Sequence, residues 1–223
     1  MVDILGSIDE KIENNEQIIL KLTDLGLLTY QDFVRHNGYE LVELNELVKI
    51  GRGASPRPIQ NYLTQDGNPW VKISDVTALK TPFLYKTSEY ITDKGTSHSV
   101  AVFPDDLILS NSATPGLPIF VELPAFVHDG WLTIRDFKQI TPQYLYWVLK
   151  NDREKILSQG NGSIFTNLKT DILKQHKIPV PDKETMRELD KKFSTILALI
   201  KQLTIKDKQL KELKQLYLKK FFG

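Results

Sequence analysis

The stretch ILALIKQLTIKDKQLKELKQL, residues 196–216, decides the architecture of this chain. Its apolar residues are spaced three, four and seven apart, as in a helix with a continuous apolar stripe, at Ile196, Leu199, Leu203, Leu210, Leu213 and Leu216. The same intervals occur 191 residues earlier, at Leu5, Ile8, Ile12, Ile19, Leu22 and Leu25. Both copies place a polar residue, Asn15 or Lys206, at the skipped position. Duplication explains this match better than coincidence, and the sequence predicts two long helices with the same seam.

The carboxyl-terminal helix has a clear start. Pro181 and Asp182 supply a helix entry and an N-cap, and no proline or glycine follows before Gly223. About forty helical residues make a rod of about 60 Å, which needs a cover for its apolar stripe. Residues 1–25 carry a net charge of −4 and residues 182–223 a net charge of +5. Each helix therefore suits the other as its cover, supplied by the same chain or by a second copy.

The composition sets limits on the whole molecule. With 41% hydrophobic residues, 26% charged residues and a net charge of +1, the chain is neither disordered nor a basic nucleic-acid tail. There is no cysteine, which excludes disulfides and thiolate chemistry and favours the cytoplasm as its location. No apolar run approaches the roughly 18 residues that span a bilayer, so we expect no membrane partner.

Between the helices, short apolar runs alternate with turn residues. Runs at residues 70–73, 101–103, 107–109 and 119–121 predict strands. A helix is predicted from Pro142, with Thr141 as its cap, through Leu157, and a short one ending near His176. Small polar residues mark loops at 51–57, 110–116 and 159–163. The predicted class is α+β, a β-rich domain carried on long helices.

Motifs of the common enzyme classes are absent or incomplete. Gly51 and Gly53 lack the third glycine of a dinucleotide fingerprint, because position 56 is Pro. No metal site is expected from the four widely separated histidines, His36, His98, His128 and His176. Residues 68–70 match only part of the Asn/Asp-Pro-Pro-aromatic loop of adenine methyltransferases, and residues 104–106 lack the acid-x-Lys partner of a nuclease site. We therefore expect a recognition module without a cofactor.

Several stretches, in this order, resemble the specificity subunits of type I DNA restriction-modification systems. They are Gly-x-Gly-x-Ser-Pro at 51–56, Gly-Asn-Pro-Trp-Val-Lys-Ile-Ser-Asp at 67–75, the strand and small polar loop at 107–116, Tyr-Leu-Tyr-Trp at 144–147, Gly-Asn-Gly-Ser from 160 leading to Leu168 and Leu173, and Ile-Pro-Val-Pro at 178–181 before a long helix ending in Phe-Phe-Gly. Residues 4–33 resemble the end of the family's spacer helix. The resemblance covers nearly the whole chain.

The resemblance implies a β-rich target recognition domain flanked by long spacer helices that form an antiparallel coiled coil. It divides the chain into a spacer helix at 1–31, a recognition domain at 32–181 and a second spacer helix at 182–223. Family members carry two such domains, and this chain has one, so a homodimer is expected. The implied partners are double-stranded DNA, a methyltransferase subunit that uses S-adenosylmethionine, and an ATP-dependent restriction subunit. No catalysis by this chain is implied.

Loops that carry arginine, lysine, asparagine, serine or threonine are the natural readers of base edges in the major groove. The candidate base contacts are Arg52, Ser55, Arg57, Lys72, Asn111, Ser112, Thr114, Asn161 and Ser163, and the candidate phosphate contacts are Lys169 and Lys174. Two alternatives remain open at this point. A coiled-coil scaffold would show no sequence-selective DNA binding, and a methyltransferase would bind its cofactor as an isolated chain.

Overall fold

The computed structural model describes residues 2–159 and 167–222, and it has a mixed α+β fold. The helices are α1 Val2–His36, α2 Leu44–Leu47, α3 Ser74–Thr77, α4 Asp93–Thr96, α5 Pro142–Asn151, α6 Arg153–Ser158, α7 Thr170–Gln175 and α8 Lys183–Phe222. The strands are β1 Glu40–Glu43, β2 Lys49–Arg52, β3 Leu63–Thr64, β4 Asn68–Val71, β5 Phe83–Leu84, β6 Glu89–Ile91, β7 Val100–Val102, β8 Leu107–Ser110, β9 Pro118–Val121, β10 Ala125–Val127, β11 Trp131–Arg135 and β12 Lys177–Val180. The predicted fold class is confirmed. All four predicted strands are present, but β4 ends at Val71 and leaves out Lys72 and Ile73, and β7 ends at Val102 and leaves out Phe103.

The two long helices pair with each other in an antiparallel arrangement within one chain. The predicted N-cap of α8 is confirmed, since Asp182 Oδ1 accepts a hydrogen bond from the Thr185 backbone N–H at 2.8 Å. At the other end of α8, Lys214 Nζ lies 2.5 Å from Asp9 Oδ1. The sequence left open whether the cover of α8 comes from its own chain, and in this structure α1 provides it.

The contact face between α1 and α8 is shifted from the predicted seam. Asn15 Nδ2 donates to Asp207 Oδ1 at 2.6 Å, and Asp207 is buried while Lys206 is exposed. Leu199 and Leu213 are 43% and 41% exposed. The polar residue of α8 that faces Asn15 is therefore Asp207 and not Lys206. The face of α8 that contacts α1 is shifted by one residue from the position that the constant offset of 191 residues predicts.

Leu25 and Leu216, also predicted for the seam, are 50% and 65% exposed, whereas the other predicted seam residues lie on the contact face or beside it. Ile8, Ile19 and Ile196 are buried, and the half-buried members are Leu5, Ile12, Asn15, Leu22, Leu203 and Leu210. The division of the chain at residues 31 and 181 stays a prediction; α1 continues to His36 and α8 begins at Lys183.

The β-rich part is built from two five-stranded sheets and a small stem. The strand orders are β3-β6-β4-β10-β7 and β2-β11-β8-β9-β5. The stem is the antiparallel pair of β1 and β12, in which Glu40 lies opposite Val180. Since β1 follows α1 and β12 precedes α8, the stem joins the sheets to the helical pair.

Strands β5, β8 and β9 and most of β11 in the second sheet are buried on both faces, which explains their continuous apolar sequences. In β8, Leu107 and Leu109 point into the core shared with the helices, whereas Ile108 points into the core between the sheets. Successive side chains of a strand alternate between faces, so a strand between two layers is apolar throughout. Trp131 Nε1 donates to the Val71 carbonyl oxygen at 3.1 Å and ties one sheet to the other.

Helix α5 packs where the helical pair meets the sheets. Its predicted cap is confirmed, since Thr141 accepts a hydrogen bond from the Tyr144 backbone N–H at 3.1 Å. The predicted single helix to Leu157 is wrong: α5 ends at Asn151, and α6 begins at Arg153. At the break, Asp152 Oδ2 lies 2.8 Å from His176 Nε2 in a buried pair. That contact ties the helix end to the segment before β12.

A second tie fixes α8 to the sheets. Lys201 Nζ lies 2.6 Å from Glu122 Oε2 and 3.3 Å from Asp105 Oδ1. The same ammonium lies 5.7 Å from the centre of the Phe83 ring. These contacts hold the two sheets at a set position on the helical pair. No helix among the described residues is long and apolar enough to cross a membrane.

Candidate nucleic-acid interface

A tight turn at residues 128–130 joins β10 to β11 and is the centre of the candidate site. The Asp129 carboxylate accepts a hydrogen bond from Ser55 Oγ at 2.6 Å and another from Arg57 Nη2 at 3.1 Å. The Asp129 carbonyl oxygen accepts from Arg52 Nε at 2.9 Å. Three of the predicted contact residues therefore converge on one turn.

Glycine makes this convergence possible. The Gly53 backbone N–H donates to the Trp131 carbonyl oxygen at 2.8 Å, so the chain after β2 lies directly on the turn. A Cβ atom at position 53 would stand only 2.0 Å from the His128 carbonyl oxygen. Any other residue would therefore push the 52–57 segment away from Asp129.

A second predicted loop, residues 110–116, packs on the same turn. The Asn111 backbone N–H donates to the Gly130 carbonyl oxygen at 2.9 Å, and Asn111 Nδ2 donates to the Asp129 carbonyl oxygen at 3.3 Å. Asn111 is 2% exposed, so its side-chain amide is buried against the turn and does not face solvent. Ser112 forms an isolated bridge with Asn167 and is half-buried.

The remaining predicted residues lie at different distances from this turn. Lys72 follows β4, where its Nζ lies 2.7 Å from Glu89 Oε1. Thr114 is half-buried within the 110–116 loop, and Lys169 is exposed just before α7. Lys174 is half-buried on α7 and is not brought to the turn by any hydrogen bond among the described residues. Asn161 and Ser163 lie outside the described residues.

The electrostatics of the turn favour a carboxylate beside neutral imidazole. The hydrogen bond from Ser55, helped by the Arg57 charge, holds the pKa of Asp129 below its ordinary value. Burial lowers the pKa of His128, whose Nδ1 accepts a hydrogen bond from the Gly130 backbone N–H at 2.9 Å. The His128 ring also lies 5.9 Å from the Trp70 ring, centre to centre. The turn is thus a rigid base with two arginines on its exposed side.

Sequence reasoning missed Asp129, His128, Gly130 and Asn167. The only sequence feature pointing to the first three is their pattern, a His-Asp-Gly turn between two apolar runs, which predicts a hairpin and nothing more. Their role depends on contacts between residues more than seventy positions apart, such as Arg57 and Asp129.

A polar, arginine-bearing turn on a two-sheet domain, carried by a pair of long helices, defines a recognition module. A family model, the type I restriction modification DNA specificity domain, matches residues 36–215. The chain belongs to that family. The specificity subunit of the type I restriction enzyme MjaIX from Methanocaldococcus jannaschii is 25% identical over 198 residues, which are 86% of this chain and 43% of that protein.

Solved structures share the fold. The S subunit of a type I restriction-modification system from M. genitalium matches with a TM-score of 0.70 at 17% identity, over 99% of this chain and 59% of that one. The HsdS subunit from Thermoanaerobacter tengcongensis matches with a TM-score of 0.58 at 17% identity, over 98% and 56%. This chain thus spans about half the length of the proteins it matches.

Proposed function

We propose that this chain is a DNA sequence-recognition subunit of a type I restriction-modification complex. The observation that carries the proposal is the convergence of Arg52, Ser55 and Arg57 on the turn at Asp129, at one exposed end of the two-sheet domain. Arginine and serine presented on a rigid base suit the donor and acceptor pattern of the major groove. Ser112 and Thr114 from the adjoining loop extend the same surface, and Asn161 and Ser163 remain candidates.

The charge distribution suits a subunit that selects the site while others hold the DNA. Residues 26–181 contain 16 basic and 16 acidic side chains, so this part adds little general attraction for phosphates. A methyltransferase subunit would supply most backbone contacts and the chemistry, and a restriction subunit would join through the complex. Lys169 and Lys174 are the proposed phosphate contacts, and Lys72 stays a proposed base contact. The chain itself is proposed to be non-catalytic and cytoplasmic.

Paired arginine substitutions test the DNA surface. Arg52→Ala with Arg57→Ala removes both guanidiniums from the turn and should weaken binding to the preferred duplex at least tenfold, the loss of about 1.4 kcal/mol. Lys191→Ala with Lys192→Ala removes the same charge from an exposed stretch of α8 and is the matched control. Binding is measured by fluorescence anisotropy on duplexes with the preferred and scrambled sequences.

The outcomes separate the proposal from its alternative. A wild-type chain with no sequence preference would support a coiled-coil scaffold, and equal losses in both double variants would show non-specific attraction. Co-purification with a methyltransferase subunit, followed by sequencing of the methylated genome, tests the partner and reports the target together. The same methylated sites in cells with and without this chain would contradict the proposed role.

We also propose that two copies of the chain assemble as a homodimer through one side of the helical pair. Ile18 and Leu25 on α1 and Leu199 and Leu213 on α8 are all about 40–50% exposed. At about 100° per residue, they lie on the side opposite Leu20 and Lys208, which line the groove beneath the sheets. A second copy would cover this apolar side. It would also supply a second recognition domain, so that two copies together would match the length of the relatives, which are about twice as long as this chain.

Such a dimer would read a gapped, palindromic target. A rod of about 60 Å places two domains one to two turns of DNA apart, since one turn is about 34–36 Å. Leu199→Asp with Leu213→Asp should convert a dimer into a monomer in sedimentation at micromolar concentration. Leu20→Asp, on the groove side, should leave the dimer intact. A monomer mass for the wild-type chain would refute the assembly.

A further inference from the structure

We infer that Asp129 is a positioning residue that orients Arg57 for base reading and thereby sets part of the target sequence. The inference rests on the proposed function, because it assigns Arg57 to DNA. It adds a residue that neither the sequence motifs nor the family relationship singles out. Its basis is the hydrogen-bonding pattern around one carboxylate.

Both oxygens of this carboxylate are committed to the 52–57 segment. Oδ1 accepts from Ser55 Oγ at 2.6 Å, and Oδ2 accepts from Arg57 Nη2 at 3.1 Å. The backbone of the same residue is fixed as well, since its carbonyl oxygen accepts from Arg52 Nε and Asn111 Nδ2. The carboxylate therefore has a set position from which it can orient a long and otherwise mobile side chain.

The Arg57 side chain is exposed and has a single hydrogen-bonded nitrogen among the described residues, so that one contact can set its orientation. Its side chain is 79% exposed, and within the described part of the chain only its Nη2 is hydrogen-bonded. A guanidinium has five N–H groups, so most of its donors stay available to a ligand. The commonest specific contact of arginine with DNA is a bidentate one to O6 and N7 of guanine, which needs the plane of the guanidinium to be held in one orientation. Asp129 supplies that restraint.

A carboxylate in the middle of a DNA surface also opposes indiscriminate binding. Its charge repels phosphates that approach the turn without the correct base pair for Arg57. Loss of the charge should therefore tighten binding to random DNA while loosening the choice of base. A purely structural carboxylate would not produce this pair of opposite effects, because damage to the fold weakens both kinds of binding.

The test combines Asp129→Asn, Arg57→Ala and the double variant in the whole chain. Each protein selects from a randomised duplex library, and the preference at every target position is read by sequencing. We expect Asp129→Asn and Arg57→Ala to reduce discrimination about tenfold at the same guanine position. The double variant should show no further loss at that position, because one residue acts through the other. Asp129→Asn should also raise affinity for a scrambled duplex about threefold at low salt.

Asp66→Asn is the matched control. Asp66 is an exposed turn residue just before β4, and β4 runs parallel to β10, so it lies at the other end of the sheet from the 128–130 turn. This variant should leave the selected sequence and the random-DNA affinity unchanged. Thermal unfolding of all four variants checks that each is folded under the selection conditions.

Each result bears on the inference in a defined way. Unchanged discrimination in Asp129→Asn, with a clear preference in the wild-type chain, would overturn the inference and leave the proposed function standing. Additive losses in the double variant would also overturn it, since the two residues would then act independently. A wild-type chain without any preference would refute the proposed function and the inference together.

Discussion

Replacing Gly26 by alanine adds one methyl group where α1 packs against α5. A Cβ atom at this position would lie 2.3 Å from Trp147 Cη2 and 2.4 Å from Cζ2. An ordinary contact between carbon atoms is about 3.5–4.0 Å, so the indole would have to retreat by more than about 1 Å. Trp147 is fully buried, with the Tyr146 and Phe193 rings 4.9 Å and 5.8 Å away, centre to centre. The ring has little room to move.

Two opposing effects set the magnitude. Overpacking of a core costs about 1–3 kcal/mol, whereas alanine gains about 1 kcal/mol over glycine inside a helix. We expect a net loss of up to about 2 kcal/mol in the free energy of unfolding, and a fall in Tm of up to about 8 °C for a chain of this size. Gly6 lies in the same helix with nothing within 4 Å of its Cβ position. Gly6→Ala should therefore be neutral or slightly stabilising.

The assay is urea unfolding of both variants and the wild type, monitored by circular dichroism. Trp147→Phe provides a third comparison, since it removes the indole atoms that meet the new methyl group. In that background, Gly26→Ala should no longer destabilise the protein. If Gly26→Ala were as stable as Gly6→Ala in the wild-type background, the packing of α1 on α5 described above would be wrong.

Two further predictions concern buried polar pairs. Asn15→Leu leaves the Asp207 carboxylate buried without the amide that donates to it, and should lower the free energy of unfolding by about 1–3 kcal/mol. The double variant Asn15→Leu with Asp207→Leu should recover most of that loss. Equal urea midpoints for Asn15→Leu and the wild type would contradict this prediction. Burial opposes ionisation of Asp152, but hydrogen bonds from His176 and Asn151 outweigh it and lower its pKa. Because its pKa is lowered in the folded state, Asp152 stabilises the fold above about pH 4, and this contribution is lost as the pH falls further. Asp152→Asn should therefore flatten the acid side of a plot of Tm against pH. Parallel plots for Asp152→Asn and the wild type would contradict this prediction.

Features set by local chemistry were predictable from the sequence. The helix starts at Thr141 and Asp182 follow from capping, in which a side-chain oxygen accepts a nearby backbone N–H. The strands followed from apolar runs between turn residues, and the helical pair from heptad spacing and opposite charge. The candidate loop could also be selected from the sequence, because Arg52, Ser55 and Arg57 are close neighbours in it, and its contact with DNA stays a prediction.

Features set by contacts distant in sequence were not predictable. Equal spacing pointed to Lys206, and only the way α1 packs on α8 selects Asp207 as the partner of Asn15. Nothing near Asp152 shows that its carboxylate meets His176 and interrupts a helix. The role of Asp129 likewise depends on Gly53 allowing another segment to approach its turn.

The stem of β1 and β12 has a consequence for how recognition can change. Glu43 lies opposite Lys177, so the chain leaves the helical pair and returns to it on neighbouring strands, about 5 Å apart. The segment between these two residues includes α5, whose Trp147 packs against Gly26 of α1 and Phe193 of α8, so another segment that brings an equivalent helix can replace it without altering the path of α1 or α8. A single recombination event with its ends in the stem would therefore replace the proposed DNA-contact loops together with the sheets that carry them. The helical pair would keep its own sequence and its own contacts between α1 and α8.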